Sequence, residues 1–336
     1  MSQNWCGVRY AGGGHLESYF IKAVDPSSTR AFWLKATIFA EVSRHGGAPR
    51  APLAEAWAIS FDHRDGRRHV AAKHQLPLSE ASFERDGLGV RWRTAAGESL
   101  AIEPGRTRGE VRSGGRTLRW DLAFAGDERP MVPLPLPSLY RGPFPSTKLV
   151  TPYPDVRFTG ELDAGGERWS VEGWRGMLGH NWGRRHGEQY AWSHCNQWEE
   201  DDELVLELAV ARVRAGGVLL PALTIACLRH RGVDYDFNQP LALLRNRGSM
   251  DLRSVRFAAA SRFGRIAGEI AADTEDFVGL YYPNPGGAMT HCLNTKLARA
   301  HLRFEAAGRP PLVVTSRAAA LEIATLRPDH GVRMSV

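Results

Sequence analysis

Short segments of alternating polarity, separated by turn residues, limit this chain to β structure. In Ala31–Phe39 and Ala54–Phe61, side chains alternate with the period of two that a strand requires. The segment His63–Gly66 follows with an Asp-Gly pair, which is typical of a hairpin turn. Long amphipathic patterns are nearly absent, so folds that place a helix after each strand are excluded. The sequence therefore predicts an all-β protein built from antiparallel barrels or sandwiches.

Strands are predicted along the whole chain, with similar content in both halves and no clear repeat between them. Beyond the two segments above, the predicted strands are Val70–His74, Gly89–Arg93, Ser99–Glu103, Glu110–Ser113, Thr117–Phe124, Val156–Leu162, Arg168–Gly173, Gln189–Trp198, Leu204–Val213, Val218–Leu228, Arg253–Ala260, Ile266–Ala272, Phe277–Tyr282, Thr290–Leu297, Ala298–Glu305, Leu312–Ser316 and Ala318–Ala324. Short helical turns are predicted at Ser79–Glu84 and Leu241–Arg245.

A proline-rich stretch, Arg129–Pro154, interrupts this pattern near the middle of the chain. Proline lacks the N–H group that a central strand donates, so the stretch is predicted to be an extended linker. The chain has 336 residues, which fits two domains of about 150 residues each. We therefore expect one domain at residues 1–142 and a second at residues 143–336.

Composition excludes several functional classes. There are 43 lysines and arginines against 37 acidic residues, but the arginines are dispersed, whereas a nucleic-acid site needs a concentrated patch. The chain contains no run of about 18 apolar residues, so no integral membrane segment is predicted. The N-terminal residues do not resemble a secretory signal. The four cysteines lack metal-type spacing, so reduced thiols and a cytoplasmic location are expected. Oligomeric state is left open.

The most unusual stretch is Gly173–Trp198, which contains four tryptophans and three histidines. We interpret its glycine-rich first part, Gly173–Gly187, as an irregular connection, and Gln189–Trp198 as a strand. One face of this strand carries Tyr190, Trp192, His194, Asn196 and Trp198. Such a face suits a cavity that binds a large apolar molecule at a few polar points. The alternative is a tryptophan-rich barrel core whose polar groups are paired internally.

These residue types favour acid–base chemistry. Histidine exchanges protons near neutral pH, and tryptophan and tyrosine rings stabilise a nearby cation. A cyclase or hydratase that protonates a polyene needs both properties. No common catalytic signature and no Gly-rich phosphate loop is present. His180 and His186 lie six residues apart without further ligands nearby, so neither a metal site nor a cofactor is predicted.

Two charged residues on the early strands have two interpretations each. Glu55 shares a face with Trp57, and burial would favour the protonated form that a general acid requires. The exposed alternative, without function, is preferred because glutamate is mostly exposed. Lys35 alternates with Trp33 and Thr37, and is either a cation inside a pocket or a side chain that extends to solvent.

Several motifs resemble the carotenoid hydratase and tocopherol cyclase-like proteins. The segments Glu17–Phe20, Phe32–Lys35 and Ala54–Trp57 are similar to the start of that family. His180-Asn-Trp-Gly183 resembles its central D-H-x-W-G motif, followed by the aromatic strand at Tyr190–Trp192. Tyr282–Gly286 and Cys292–Asn294 resemble a late segment of the tocopherol cyclase-like branch.

This resemblance implies two lipocalin-like β-barrels, with a ligand inside a barrel or between the two. It also implies hydration, cyclisation or cycloaddition of isoprenoid or polyketide compounds without redox cofactors. One departure matters, because the family's acid before the histidine is Gly179 here. A proton would then have to come from His180 or from another carboxylate.

The leading hypothesis is a cofactor-independent cyclase, hydratase or isomerase acting on a hydrophobic isoprenoid-like or polyketide-like substrate. Its predicted catalytic residues are His180, His194 and Glu55. The predicted substrate-binding residues are Asn181, Trp182, Tyr190, Trp192, Asn196, Trp33, Trp57 and Tyr282. The alternatives are a carrier that holds a lipid, pigment or other hydrophobic small molecule unchanged, and a structural protein whose barrels dock a partner.

Overall fold

The fold is described from a computed structural model covering residues 4–42, 50–212, 214–215, 218–219, 221–306 and 308–336. The chain is almost all β and forms two large antiparallel sheets. The first sheet contains β1 His15–Val24, β2 Arg30–Ala40, β3 Leu53–Asp62, β4 Val70–Pro77, β5 Ala81–Phe83, β6 Val90–Arg93, β7 Ser99–Glu103, β8 Arg106–Ser113, β9 Arg116–Asp127, β10 Thr147–Ala164 and β11 Arg168–Gly183.

The second half of the chain supplies the other strands. They are β12 Gln189–Cys195, β13 Leu204–Arg212, β14 Arg214–Ala215, β15 Val218–Leu219, β16 Leu223–His230, β17 Val233–Asp236, β18 Arg247–Met250, β19 Ser254–Ser261, β20 Gly264–Ala271, β21 Val278–Pro283, β22 Met289–Ala306 and β23 Leu312–Thr325. The pair β14 and β15 forms a separate ribbon. Short helical turns lie at Leu78–Glu80, Pro137–Tyr140 and Thr274–Asp276, and helix α1 spans Pro240–Leu243.

Each sheet curls around its own apolar core. The first has the order β4-β3-β2-β1-β11-β10-β9-β8-β7-β6-β5, and β4 also contacts β8 and β9. The second has the order β17-β16-β13-β12-β23-β22-β20-β19-β18, with β21 paired to β22 and β18 contacting β13 and β16. Phe32, Leu34 and Trp120 lie in the first core, and Leu206, Leu208 and Phe304 in the second. The predicted two-barrel, all-β fold is confirmed.

The strand pairing changes two predictions about the middle of the chain. The proline-rich stretch connects β9 to β10, which are neighbours in the first sheet, so it does not link the two barrels. Gly173–Gly183, predicted as an irregular connection, is part of β11 and pairs with β1 and β10. The chain passes from one sheet to the other between Gly183 and Gln189.

Because of its prolines, the stretch was predicted to be a linker, and the pairing of β9 with β10 was not predicted. The prolines limit regular pairing before β10, but β10 itself includes Pro152 and Pro154 and still pairs with β9 and β11. The division into domains at residues 142 and 143 remains a prediction. Most other predicted strands have counterparts. Strand β1 was not predicted, and the predicted strand end at Val213 lies outside the described residues.

The two barrels pack against each other through the outer faces of their central strands. Strands β1, β2 and β3 contact β22, and apolar clusters span both sheets. We call this contact zone the inter-barrel layer. Its side chains include Phe20, Lys22, Trp33, Lys35, Glu55, Trp57 and Met177 from the first barrel, and Tyr190, Trp192, His194, Glu207, Tyr282, Cys292, Asn294, Lys296 and Glu322 from the second.

Candidate functional site

Most of the aromatic and polar face predicted on Gln189–Trp198 lies in the inter-barrel layer, but Trp198 does not: it follows the end of β12 at Cys195 and packs in the core of the second barrel. Trp192 packs with Phe20 and Met177 of the first barrel, with its ring edge-on to that of Phe20 at a centroid distance of 5.3 Å. The opposite face of β12 carries Ala191 and Cys195 into the core of the second barrel. The face with the histidine therefore lines the boundary between the barrels, and does not line a barrel interior.

Glu55 and Trp57 belong to the same layer. Glu55 is buried, so the preferred interpretation of an exposed side chain was wrong. Its carboxylate accepts a hydrogen bond from the Trp57 indole at 3.1 Å and forms an ion pair with Lys73 at 2.9 Å. Gln75 also donates to this carboxylate. Glu55 is thus surrounded by donors, because the packing of the second barrel covers the face that the sequence left ambiguous.

Aromatic rings and lysines alternate across the layer. The Lys35 amine lies 3.8 Å from the ring centroid of Tyr282, and Lys296 lies 5.3 Å from Trp33 and 5.5 Å from Trp192. Lys296 also forms an ion pair with Glu322 at 2.9 Å. These contacts join the predicted binding residues Trp33, Trp57, Trp192 and Tyr282 into one region, because rings of both sheets enclose the same cations.

His194 is completely buried in this layer. Its backbone carbonyl accepts a hydrogen bond from the Lys22 amine at 3.2 Å, but neither ring nitrogen has a protein partner within hydrogen-bond geometry. Burial lowers the pKa of His194 well below its ordinary value, Lys22 acts in the same direction, and the Pro154 carbonyl acts weakly against both. The imidazole is therefore neutral at physiological pH and available as a base.

Glu207 was not identified from the sequence, although it faces His194 directly. The two are cross-strand partners on β12 and β13, which places their side chains next to each other on the same face. The Thr151 hydroxyl donates to the carboxyl group of Glu207 at 2.7 Å, and the Trp192 indole donates at 3.2 Å. Burial outweighs these bonds and raises the pKa of Glu207 to about 7.

A sequence signal for Glu207 does exist. It is the only charged residue between Leu204 and Ala211, in a strand that is otherwise apolar. A single carboxyl group at such a position is either costly or functional.

His180 lies elsewhere, on the side of β11 that faces into the first barrel. Its ring stacks on Tyr19 at a centroid distance of 4.3 Å, and its nitrogens contact the Glu17 carboxylate at 2.8 Å and the Trp5 carbonyl at 2.7 Å. The predicted binding residue Trp182 packs next to His180 and against Tyr140, away from the layer. The structure thus separates His180 and Trp182 from His194, and their predicted roles remain predictions.

The two predicted asparagines lie on the layer side. The Asn196 amide donates to the Gly176 carbonyl at 2.8 Å and to Asp155 at 2.9 Å, so it bridges the two barrels. Asn181 shares the layer face of β11 with Met177. The third histidine of the central stretch, His186, stacks on Tyr282. Among the described residues, no group of three histidines, cysteines or carboxylates has the arrangement of a metal site.

Several buried polar atoms in and beside this layer lack a protein partner, as do others elsewhere in the described residues. The atoms buried without a protein partner include Trp33 Nε1, Asn181 Oδ1, both ring nitrogens of His194, Asn196 Oδ1, Tyr282 Oη and Asn294 Oδ1. Each such atom costs about 1–3 kcal/mol when nothing pairs with it. A cluster of them between two barrels is therefore typical of a place that receives a polar group from a ligand.

An aromatic ring fills the space beside Gly179. Gly179 is the cross-strand partner of Phe20, and a Cβ atom at Gly179 would lie 2.2 Å from Phe20 Cζ. Phe20 in turn packs on Trp192. An aspartate at position 179 would thus collide with the Phe20 ring in the layer.

Two surface grooves lie away from these residues. The larger, of about 670 Å³, is lined by Arg91, Arg108 and other residues of β6–β11, and the smaller, of about 320 Å³, includes Arg245 and Arg265. Neither contains a predicted catalytic or binding residue. Their arginine-rich, open walls do not suit a hydrophobic molecule as well as the layer does.

Comparisons with known proteins place this fold among double-barrel proteins. No family model matches the chain. An uncharacterized protein of Mycobacterium tuberculosis strain H37Rv is 27% identical over 299 residues, which cover 87% of this chain and 82% of that protein; its counterpart in strain CDC 1551 gives the same values. These sequence relatives therefore give no information about the activity of this protein.

Three solved structures share the fold. CghA superposes with a TM-score of 0.60 at 11% identity, covering 93% of this chain and 88% of that chain. Kievitone hydratase from Nectria haematococca gives 0.52 at 8% identity, covering 94% and 89%. An AttH-like protein from Nitrosomonas europaea gives 0.51 at 13% identity, covering 91% and 92%. The chain thus has the lipocalin-like double-barrel fold of these proteins. No helix in the described ranges is long and apolar enough to cross a membrane.

Proposed function

We propose that this protein is a cofactor-independent hydratase, cyclase or isomerase whose active site is the inter-barrel layer. Its substrate is a hydrophobic isoprenoid-like or polyketide-like compound. The observation that carries the proposal is the cross-strand pair of Glu207 and His194, buried beside the Trp192 ring. That CghA and kievitone hydratase share the fold supports the same reaction class, since the name of the latter is that of a hydratase.

The pair has the protonation states that acid–base catalysis needs. Because its pKa is about 7, a large fraction of Glu207 is protonated at neutral pH and can give its proton to a carbonyl or an alkene. Positive charge that develops on the substrate lies against the Tyr190 ring, since the rings of Trp33 and Trp192 already face the Lys296 amine. His194 is neutral and accepts a proton from the substrate or from an attacking water.

The proton balance fits each reaction type. In a cyclisation or isomerisation, Glu207 gives one proton and His194 removes one from carbon, with no net change. In a hydration, the proton that His194 takes from water replaces the proton added to the substrate. Asn181 and Asn196, each with an unpaired amide oxygen, are positioned to orient the hydroxyl group or water of the reaction.

The test begins with the compound that the protein itself selects. Native mass spectrometry of the purified protein, followed by solvent extraction, identifies any bound molecule. Turnover of that molecule is then compared between wild type, Glu207→Gln and His194→Ala. We expect losses of about 100-fold or more, as for other general acids and bases. Wild-type turnover is also expected to fall as the pH rises through about 7, because Glu207 loses its proton.

Ser193→Ala is the matched control. Ser193 lies next to His194 on β12 but bonds to the Ala320 carbonyl, so its loss leaves the layer unchanged. His180→Ala distinguishes the two histidines. If His194→Ala and Glu207→Gln keep full turnover, the assignment is wrong. A compound recovered unchanged after long incubation would instead identify a carrier, whereas a protein purified empty would count against that alternative.

A further inference from the structure

The lysines of the inter-barrel layer differ in what balances their charge. Lys73 pairs with Glu55, and Lys296 pairs with Glu322, each at 2.9 Å. Lys35 lies between these two ion pairs and is 4% exposed. In this part of the layer, three ammonium groups thus face two carboxylates, and each carboxylate already has a lysine of its own. Lys35 carries the surplus positive charge.

Lys35 also lacks a hydrogen-bond acceptor. Within the described residues, its amine has no hydrogen bond and no ion pair, and its contacts are the ring faces of Tyr282 at 3.8 Å and Trp57 at 5.7 Å. Lys22, which is equally buried, contrasts with it because its amine donates to the carbonyls of His194 and Ala318. Ring faces alone replace only part of the hydration that a buried ammonium group loses.

The other charges around Lys35 do not remove the need for an acceptor. The groups that act on it are Glu322, Cys292, Glu55 and Lys73, and His186 lies close enough to feel its charge. Burial lowers the pKa of Lys35 to about 8, against the opposing effect of Glu322. The amine therefore remains mostly protonated at neutral pH, and it stays a donor of three hydrogen bonds.

Neighbouring unpaired groups define what would complete the site. The Tyr282 hydroxyl lies on the same ring that covers Lys35, and Trp33 lies two residues before it on the same face of β2. The Tyr282 oxygen and the Trp33 indole nitrogen are both buried without a hydrogen bond of standard geometry, and the Tyr282 oxygen has the weakly bonding Cys292 thiol beside it. An amine, a phenol and an indole N–H can all donate, so the missing group is an acceptor, and the surplus charge makes a negative one most favourable.

We infer that Lys35 binds an anionic oxygen of the ligand, a carboxylate or an enolate, while the surrounding rings hold its apolar part. This inference rests on the proposed function only in taking the inter-barrel layer as the place where the ligand binds. It names the substrate class more narrowly, as an acidic amphiphile and not a neutral hydrocarbon.

The binding test uses three probes that share one chain and differ at the head group. Farnesoic acid, methyl farnesoate and farnesol are titrated into the protein at pH 7, with binding followed by calorimetry. We expect wild type to bind the acid at least 10-fold more tightly than the ester or the alcohol. Lys35→Met is expected to reduce that preference to less than about 3-fold, because the charge-assisted bonds are lost.

Lys148→Met is the control for removing a buried lysine elsewhere. Its amine donates to the Pro145 carbonyl, outside the layer, so the preference for the acid should persist. A wild-type protein that binds the ester as tightly as the acid, or that binds none of the probes, would overturn the inference. So would a Lys35→Met variant that keeps the preference.

A second measurement needs no ligand. Replacing an unpaired buried cation with an apolar side chain of similar size removes a desolvation penalty, so Lys35→Met should raise Tm by roughly 2–4 °C. Lys296→Met should lower Tm, because it leaves Glu322 without its ion pair. If Lys35→Met lowers Tm as much as Lys296→Met does, Lys35 has an internal partner and the inference fails.

The two proposals fail in different ways. A preference for the acid without turnover of any extracted compound would contradict the enzyme and leave the Lys35 site standing. Turnover that depends on Glu207 and His194, with no preference for an acidic head group, would contradict only the Lys35 site.

Discussion

Two pairs of a buried glutamate and a buried histidine lie on neighbouring strands of the described residues, and the two pairs differ in how the carboxyl group is hydrogen-bonded. In the first barrel, Glu17 bonds to His180 at 2.8 Å and to His15 at 3.0 Å. Burial alone would raise the pKa of Glu17, but these bonds outweigh it and lower the pKa to about 2. Between the barrels, burial prevails at Glu207 and raises the pKa to about 7.

This comparison shows that the hydrogen-bond donors around a buried carboxyl group determine whether its pKa is lowered or raised. Glu17 accepts bonds from two histidines and from the Arg9 backbone N–H, so its charge is stabilised and contributes to the fold. Glu207 accepts bonds from a hydroxyl and an indole, which are neutral, and keeps its proton at higher pH. The first pair is fully hydrogen-bonded, whereas the second has the properties that we propose for a proton donor and acceptor.

The largest expected effect comes from breaking the satisfied pair. His180→Ala should lower the free energy of unfolding by about 3 kcal/mol, because it leaves the Glu17 charge buried with fewer partners. His194→Ala should cost less than half as much, since the His194 ring has no hydrogen bonds to lose. Urea unfolding at pH 7 measures both values. Equal losses for the two variants would show that the two pairs do not differ in this way.

The pH dependence of stability gives an effect of comparable size. Between pH 4.5 and about 7, Glu207 is protonated in the folded protein and ionised in the unfolded chain, so the folded state binds more protons. Its contribution to stability therefore decreases as the pH rises, by about 1.4 kcal/mol per pH unit. Glu17, with its lowered pKa, has the opposite sign, and its contribution is lost as the pH falls from about 4.5 toward 2.

Glu207→Gln isolates this dependence. The glutamine keeps the size of the side chain and cannot ionise. The variant should therefore become more stable relative to wild type as the pH rises from 5 to 7. Urea unfolding at several pH values provides the curve. A constant difference across that range would mean that Glu207 ionises at its ordinary pKa and is a poor acid.

The smallest expected effect concerns the position of the missing family acid. Gly179→Asp should lower the free energy of unfolding by about 1–3 kcal/mol, because its Cβ would collide with the Phe20 ring. The same substitution should cost less in a Phe20→Ala background, where the ring is absent. A double-mutant cycle measures this coupling. Additive effects would show that Phe20 is not the obstacle, and would remove the steric reason for an acid at another position.

Much of the candidate site could be predicted from local alternation. Side chains two residues apart share a face, so Tyr190, Trp192 and His194 were grouped correctly, as were Glu55 and Trp57. Alternation does not tell which face meets solvent, a barrel interior or a second sheet. That is why Glu55 was assigned to the surface, and why His180 and His194 were expected to act together although they face opposite sides.

What the sequence determined by itself is the type of each element and the residues that share a face, since both depend on the geometry of a few consecutive residues. Tertiary structure alone decided that the proline-rich stretch lies within one sheet, that His194 faces Glu207, and that Phe20 fills the space beside Gly179. These contacts are between residues that are far apart in the sequence. They depend on the pairing of the strands and on the faces through which the two barrels pack. The proton chemistry proposed here depends on that contact, because burial between the barrels is what raises the pKa of Glu207 and lowers that of His194.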